Sequence, residues 1–367
     1  MLKTLEIYYA DILVNTVVVA MDDIARSAVI KEVQVHTDKP YLSFFGEMVE
    51  NCVDFLNRRS YLSRFEYYTT GETSGFVLYT AVEILLKTHG LSETDKYWFK
   101  EVSDCIDYST VCEIMGKAYK GYYGITKREF EGGSVITTYK EKAKQRVLGN
   151  LIVNSFLKEM SIIDIPELQA FSADTVVYAN VCGENEFLVS AYDLLLRNFD
   201  YGVFGYAKAQ PIITFNNIVK LLNEAVGFDV REYLSKFLFL DSLFLNEGHY
   251  FANIYFACNE ETGCYRLLPY MSCGHILGIE KEVLLQDKAK VCYGRTICAN
   301  FDVIGLLMVK QGIVLPSYVK VPLKKLISFE ESSEKMFDIV DITEICAIIG
   351  YRYQQLTGGT VEFDDER

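Results

Sequence analysis

The stretch DSLFLNEGHYFANIYFACNEETGCYRLLPYMSCGHIL, residues 241–277, contains in order a helix end, a polar loop, a β-hairpin and a second loop. Apolar residues that favour β-structure occupy 254–258 and again 264–268, and the residues between them favour a turn. Because the two strands of a hairpin lie side by side, the segments before and after it meet at one end. We therefore predict that loops 246–253 and 269–275 lie at the same end of this hairpin.

The helix that leads into this stretch carries a carboxylate on its apolar side. Asp229 and Glu232, three residues apart, predict a capping box at the start of the helix. Asp241 lies on the apolar stripe of that helix, together with Leu234, Phe237, Leu238 and Leu245. A buried carboxylate must accept hydrogen bonds or lose its charge. We predict that Asp241 is buried and supports the following turn by accepting hydrogen bonds from backbone N–H groups of residues 246–249.

This layout resembles the active site of the HipA-like serine/threonine kinases, a branch of the protein-kinase-like fold. In that family a helix leads into an N-x-D-R-H-x-x-N loop, then a hairpin, then a P-x-x-D-x-G loop. The first pattern falls on residues 246–253 and the second on residues 269–274. The framework residues that match are Asn246, Asn253, Pro269 and Gly274.

The residues of the family that carry the chemistry are replaced in this chain. Gly248 stands at the position of the catalytic aspartate, Tyr250 at that of the histidine, and Ser272 at that of the metal-binding aspartate. Phosphoryl transfer depends on charge neutralisation by Mg²⁺ and on a carboxylate that accepts the hydroxyl proton. A serine hydroxyl is a poor ligand for a hard dication. The catalytic loop is therefore interpreted as degenerate.

Some groups near these positions keep an active kinase open as the alternative. The resemblance implies ATP and Mg²⁺ as cofactors, with Asn253 and Ser272 at the metal-ligand positions. Glu247 and His249 flank the lost positions, and they or Asp241 would have to replace the missing groups. Each of them would approach the substrate from a different direction than the family's aspartate.

A glycine turn upstream is the candidate nucleotide-binding loop implied by the resemblance. Gly132, Gly133 and Ser134 would cover the phosphates, and Lys140 would hold them. A helix is predicted over residues 142–160, but it has no acid where the family pairs one with the lysine. The alternative for this segment is an ordinary hairpin turn followed by a solvated lysine.

A second point of resemblance is GLSETDKYW, residues 90–98. HipA-like proteins of some Gram-positive bacteria carry G-L-S-x-T-D-x-Y-W at the end of an N-terminal accessory region. Two roles are open for the motif. Either residues 92–95 cap a helix while Tyr97 and Trp98 pack on the core, or the motif binds a ligand directly. Packing is the interpretation we favour.

Composition limits the class of protein. The 367 residues carry a formal net charge of −14, which argues against nucleic acid or an anionic membrane as the main partner. Ten cysteines contain no C-x-x-C pair, so we expect reduced, mostly buried thiols rather than a zinc site. No signal peptide and no run of 18 uncharged apolar residues is recognised, so a soluble cytoplasmic protein is expected.

The predicted fold class is α+β, with the two-lobed architecture of HipA-like proteins. Residues 1–125 are predicted to form an N-terminal accessory region that begins with a β-meander. Residues 126–181 would form a reduced kinase-like N-lobe, and residues 182–367 a mainly helical C-lobe with the vestigial catalytic loops. The acidic tail 358–367 is expected to be mobile.

These observations lead to one functional hypothesis and two alternatives. The hypothesis is a pseudokinase-like protein, a HipA-type scaffold that binds a protein partner and acts in binding or regulation. No cofactor is assigned to it with certainty, and ATP with Mg²⁺ enters only through the resemblance. The first alternative is an active HipA-like serine/threonine kinase with displaced catalytic groups. The second is an unrelated ligand in the same cleft.

Overall fold

The structure of the protein is a computed structural model. It describes residues 1–43, 49–63, 74–91, 96–116, 126–131, 133–139, 142–191, 194–195, 211–244, 246, 254–271, 291–293, 297–299, 308–322 and 339–364. Its contacts divide the chain into two units. Unit 1 consists of Met1–Lys127, Asn185–Tyr201 and Cys258–Cys264, and unit 2 of Arg128–Glu184, Gly202–Ala257 and Tyr265–Arg367. The finer division at residues 125 and 181 stays a prediction.

Unit 1 is built on a four-stranded sheet. Its strands are β1 (Leu2–Tyr9), β2 (Ile12–Asp22), β3 (Ser27–Val35) and β4 (Tyr97–Glu101), in the order β3-β2-β1-β4. All neighbouring strands are antiparallel. The predicted meander is confirmed as β1 to β3, because these consecutive strands are neighbours in the sheet and each is antiparallel to the next.

The helices of unit 1 are α1 (Val49–Ser63), α2 (Ser74–Thr88) and α3 (Tyr108–Gly116). The first two pack on each other and on β3. On β1, Leu5 and Ile7 are buried on the same face of the strand, as expected for a strand with one face in the core.

The tryptophan of the residue 90–98 motif packs in the interior of unit 1. Tyr97 and Trp98 are 1% and 2% exposed on β4. Trp98 donates from Nε1 to the carbonyl of Ala10 at 2.7 Å and stacks on Tyr8 with ring centroids 4.8 Å apart. The packing interpretation is confirmed for these two aromatic residues, and residues 92–95 lie outside the described residues.

Glu260, far along the chain, also belongs to unit 1. Its Oε1 accepts hydrogen bonds from Lys96 Nζ at 2.6 Å and from the Tyr9 hydroxyl at 3.0 Å. Its carbonyl accepts from the Tyr41 hydroxyl at 3.0 Å, and the ring of Tyr41 covers Gly263, where a Cβ would lie 2.5 Å from it. The segment 258–264 therefore completes the packing of a unit whose sheet lies more than 150 residues earlier.

A half-buried carboxyl on α1 gives unit 1 a pH dependence. Desolvation by burial raises the pKa of Asp54 to about 6. A group whose pKa is raised by folding stabilises the fold below the unfolded pKa and loses that contribution as the pH rises through the folded value. We expect Asp54→Asn to raise the free energy of unfolding at pH 7 by about 1 kcal/mol, after allowance for solvent screening.

The measurement for Asp54 is urea unfolding of the wild type and the variant at several pH values. At about pH 4 the two proteins should differ little, because the wild-type carboxyl is then protonated in the folded state. A difference that does not grow between about pH 4 and pH 7 would contradict the assignment.

Unit 2 begins with a second four-stranded sheet. Its elements are β5 (Thr126–Glu131), β6 (Ser134–Tyr139), α4 (Ala143–Met160), β7 (Glu167–Ser172) and β8 (Thr175–Ala179), with strand order β5-β6-β8-β7. The predicted hairpin around Gly133 and the predicted helix are confirmed. Strand β6 ends at Tyr139, and Lys140 lies outside the described residues.

The remaining elements are β9 (Glu186–Ser190), α5 (Pro211–Val226), α6 (Arg231–Leu243), β10 (Tyr255–Asn259), β11 (Tyr265–Leu267), β12 (Val291–Tyr293), β13 (Ile297–Ala299), β14 (Tyr318–Pro322), α7 (Ile339–Thr357) and β15 (Thr360–Asp364). Their sheets have the orders β11-β10-β9, β12-β13 and β14-β15. The molecule is thus a mixed structure of helices and several small sheets.

The prediction of a mobile tail over residues 358–367 was wrong in its central part. Residues Thr360–Asp364 form β15, which pairs in parallel with β14, from Tyr318↔Thr360 to Pro322↔Asp364. Lys320 lies 3.3 Å from the Asp364 carboxylate, so the acidic residues of the tail have a cation beside them. Within the part of the chain that the structure describes, no helix is long and apolar enough to cross a membrane.

Candidate functional site

Asp241, near the end of α6, is buried and hydrogen-bonded. The residue is 0% exposed, as predicted from its place on the apolar stripe. Its Oδ1 accepts a hydrogen bond from Asn246 Nδ2 at 3.0 Å and another from the Tyr270 hydroxyl at 2.8 Å. Asn246 Nδ2 also lies 3.2 Å from the Tyr270 oxygen. We call these three residues the Asp241 junction.

Asn246 reaches Asp241 because the chain turns back at the end of α6. The helix ends at Leu243, and the backbone N–H of Asn246 donates to the carbonyl of Asp241 at 2.8 Å. This bond places the side-chain amide of Asn246 beside the carboxylate. The donors found are thus a side-chain amide and a phenol, whereas backbone N–H groups were predicted. Residues 247–249, which were to supply most of them, lie outside the described residues.

Tyr270, which follows the second strand of the predicted hairpin, donates to the same carboxylate. Strands β10 and β11 confirm that hairpin, and the backbone N–H of Leu268 donates to Tyr255 at 3.3 Å at its open end. The backbone N–H of Tyr270 donates to the backbone carbonyl of Asp164 at 3.1 Å. Its ring meets that of Phe237 edge-on, with centroids 4.8 Å apart. Asn246, the first residue of predicted loop 246–253, and Tyr270, the second residue of predicted loop 269–275, therefore lie within hydrogen-bond distance.

The predicted capping box at the start of α6 is not formed. The helix begins at Arg231 with Val230 as its N-cap, one residue later than a cap at Asp229 requires. The Asp229 carboxylate accepts from the backbone N–H of Arg231 at 3.0 Å, and this bond lowers the pKa of Asp229. Glu232 turns outward and pairs with Lys236 at 2.7 Å. In a capping box, the side chain of the third helix residue accepts from the N–H of the N-cap residue. Here Asn223 Oδ1 accepts from the N–H of Val230, the N-cap, and so takes that role.

The turn around Gly133 packs against the backbone that follows β8. The Gly133 carbonyl accepts from the backbone N–H groups of Val181 and Cys182 at 2.7 and 3.0 Å. Gly133 has φ +79°, and a Cβ there would lie 2.3 Å from the Cys182 carbonyl oxygen. The glycine is therefore required by the fold at this position. Its predicted contact with a nucleotide, shared with Gly132, Ser134 and Lys140, stays a prediction.

The structure can be compared with known proteins at this point. No protein-family model matches the sequence, and no curated protein gives a match. HipA of the toxin–antitoxin system of Shewanella oneidensis MR-1, solved with HipB and its operator DNA, aligns at a TM-score of 0.52 and 10% identity over 97% of this chain and 98% of that chain. The chain has a HipA-like fold. A Helicobacter pylori proinflammatory kinase, CtkA, aligns at a TM-score of 0.43 and 10% identity over 62% of this chain and 90% of that chain.

The resemblance found in the sequence is thus confirmed for the fold. The Asp241 junction joins residues from both predicted loops: Asn246 is the first residue of loop 246–253, and Tyr270 is the second residue of loop 269–275. Most of the candidate site residues themselves lie outside the described residues, namely Gly132, Lys140, Glu247, Gly248, His249, Tyr250, Asn253 and Ser272. Among the described residues, no group of three or more His, Cys, Asp or Glu side chains is placed to hold a metal ion.

Sequence reasoning missed a buried polar row on α4. Arg146, Asn150 and Asn154 are each at least nine-tenths buried, at intervals of four residues. Asn150 donates to the Tyr139 hydroxyl at 3.0 Å and accepts from the Tyr178 hydroxyl at 2.8 Å, so it joins α4 to strands β6 and β8. The four-residue spacing places the arginine and the two asparagines on one face of the helix, and this spacing was the signal that could have revealed the row.

Proposed function

We propose that this chain is a HipA-like scaffold that binds a protein partner and does not transfer phosphate by the mechanism usual for protein kinases. The observation that carries the proposal is the Asp241 junction. It holds Asn246 of the first loop and Tyr270 of the second together, while Gly248 and Ser272 replace the carboxylates that those loops need for catalysis. A framework retained without its chemistry is what a binding protein derived from a kinase fold would have.

The donor set does not fit a resident Mg²⁺ ion. In kinases the metal ions are held by an aspartate and an asparagine, and Mg²⁺ favours carboxylates, phosphates and water as ligands. At the corresponding positions this chain offers the Ser272 hydroxyl and the Asn253 amide, neither of which is charged. The resemblance to kinases therefore does not bring ATP and Mg²⁺ with it as cofactors of this chain.

The alternative function is an active kinase with displaced catalytic groups. A general base must come within hydrogen-bond distance of the substrate hydroxyl. Asp241 is 0% exposed and its Oδ1 accepts two hydrogen bonds, which argues against Asp241 as that base. The alternative then depends on Glu247 and His249.

The proposed partner is a protein rather than nucleic acid. HipA of Shewanella oneidensis was solved in a complex with HipB and operator DNA, which supports a protein partner by analogy of fold. The formal net charge of −14 opposes direct contact with the phosphates of nucleic acid. We also propose that residues 126–181 and 182–367 act as the N-lobe and C-lobe of the scaffold.

We expect no phosphate transfer when the full chain is incubated with labelled ATP and Mg²⁺. The loss of such catalytic groups lowers rates by several orders of magnitude. Intact-mass spectrometry measures phosphate on the chain itself, and Asn253→Ala is the control for contaminating kinases. Stoichiometric phosphate on wild-type Ser, Thr or Tyr that disappears in Asn253→Ala would show an active kinase and refute the proposal.

A further inference from the structure

The segment that leads into the second loop is held at several points in unit 2. The Tyr233 hydroxyl donates to the carbonyl of Leu268, and the Tyr270 backbone donates to Asp164. The ring of Tyr270 packs on Phe237. In addition, the Tyr270 hydroxyl donates to the Asp241 carboxylate, which also accepts from Asn246.

The Tyr270 hydroxyl joins the two loop segments in a way that differs from the way a kinase joins them. In a kinase, the aspartate of one loop and the asparagine of the other are drawn together by the metal ions that both bind. The donor set of this chain does not provide that bridge. A hydrogen bond of 2.8 Å from Tyr270 to a carboxylate shared with Asn246 joins the same two segments without a ligand.

We propose that Tyr270 is a positioning residue that joins residues 268–271 to the end of α6 through Asp241, so that the two segments keep one arrangement in the absence of nucleotide and metal. The inference rests on the proposed function, since it assigns to a side chain the task that a bound metal has in a kinase. The two segments are then already ordered before a partner binds, and a preorganised protein binds its partner at a lower entropic cost.

The burial of the junction supports this assignment. Asp241, Asn246 and Tyr270 are 0%, 1% and 2% exposed. Water therefore cannot easily replace the hydroxyl if it is removed, and a hydrogen bond to a charged acceptor is stronger than one between neutral groups. Separation of the two segments requires the loss of this bond.

The test is hydrogen exchange of the full chain, followed by mass spectrometry on peptides that cover residues 240–246 and 266–271. Tyr270→Phe removes one oxygen and keeps the ring. We expect exchange in both peptides to become about tenfold faster than in the wild type, the effect of losing one buried, charge-assisted bond. Addition of ATP and Mg²⁺ to the wild type should leave both peptides unchanged.

Tyr178→Phe is the matched control. Tyr178 is also 2% exposed and also donates to a buried acceptor at 2.8 Å, Asn150, within unit 2. The Tyr178→Phe variant should lower the stability of the chain, but hydrogen exchange in the two junction peptides should not become faster. Equal exchange in Tyr270→Phe and Tyr178→Phe would overturn the inference, as would wild-type peptides that become protected only with ATP and Mg²⁺.

The experiment separates this inference from the proposed function. Phosphate transfer by the wild type would refute the scaffold and leave the exchange comparison valid, because that comparison is made without nucleotide. If Tyr270→Phe does not fold, Asn246→Ala removes a second hydrogen bond to Asp241 and provides the same comparison.

Discussion

Replacement of Asp241 by alanine is expected to lower the free energy of unfolding by about 2–4 kcal/mol. The substitution leaves the Asn246 amide and the Tyr270 hydroxyl buried without the acceptor they share. The loss of the acceptor of a buried hydrogen bond costs about 1–3 kcal/mol, and here two such bonds are lost. Urea denaturation of the full chain, followed by circular dichroism, measures the loss.

Asp241→Asn provides the control for this prediction. It keeps an oxygen that can accept from Asn246 and Tyr270, so it should lose less than half of what the alanine variant loses. An alanine variant within about 0.5 kcal/mol of the wild type would mean that the junction contributes little to the fold, since ordinary surface substitutions have effects of that size.

Gly133→Ala should destabilise the chain by about 3 kcal/mol or more. Alanine is strained at φ +79°, and its Cβ would lie 2.3 Å from the carbonyl oxygen of Cys182. Relief of that clash requires movement of backbone that is held by two hydrogen bonds, from Val181 and Cys182 to Gly133. The loss should be the same with and without ATP, because the glycine is needed by the fold.

Gly227 allows the clash to be separated from the backbone strain. It follows α5 with φ +83°, and nothing lies within 4 Å of the Cβ that alanine would add. Gly227→Ala should therefore cost only about 1 kcal/mol, the strain of a left-handed conformation alone. Equal losses for Gly133→Ala and Gly227→Ala would contradict the packing of Gly133 against Cys182.

The elements that the sequence predicted are those with strong local periodicity. Helix α4, helix α6 and the β10–β11 hairpin have apolar residues at regular intervals and turn residues between them. Burial of Asp241 followed from the same pattern, because a residue on an apolar stripe faces the core whatever its charge.

The contacts that sequence could not predict join residues that are far apart. The Tyr270 hydroxyl meets Asp241 across 29 residues, and nothing in the local pattern distinguishes it from another buried aromatic ring. Strand β15 was missed because an acidic segment is a weak strand signal, and its pairing depends on β14, more than 35 residues earlier. The capping box failed because Asn223 supplied the competing acceptor.

The placement of Glu260 in unit 1 has a consequence for synthesis of the chain on the ribosome. The sheet of unit 1 is translated within the first 101 residues, but the carboxylate that accepts from Tyr9 and Lys96 comes only at residue 260. At ordinary elongation rates the nascent N-terminal region waits on the order of ten seconds for it. During that interval Tyr9, Tyr41 and Lys96 are without this partner, so the nascent chain is more exposed to chaperones and proteases than the order of its strands suggests.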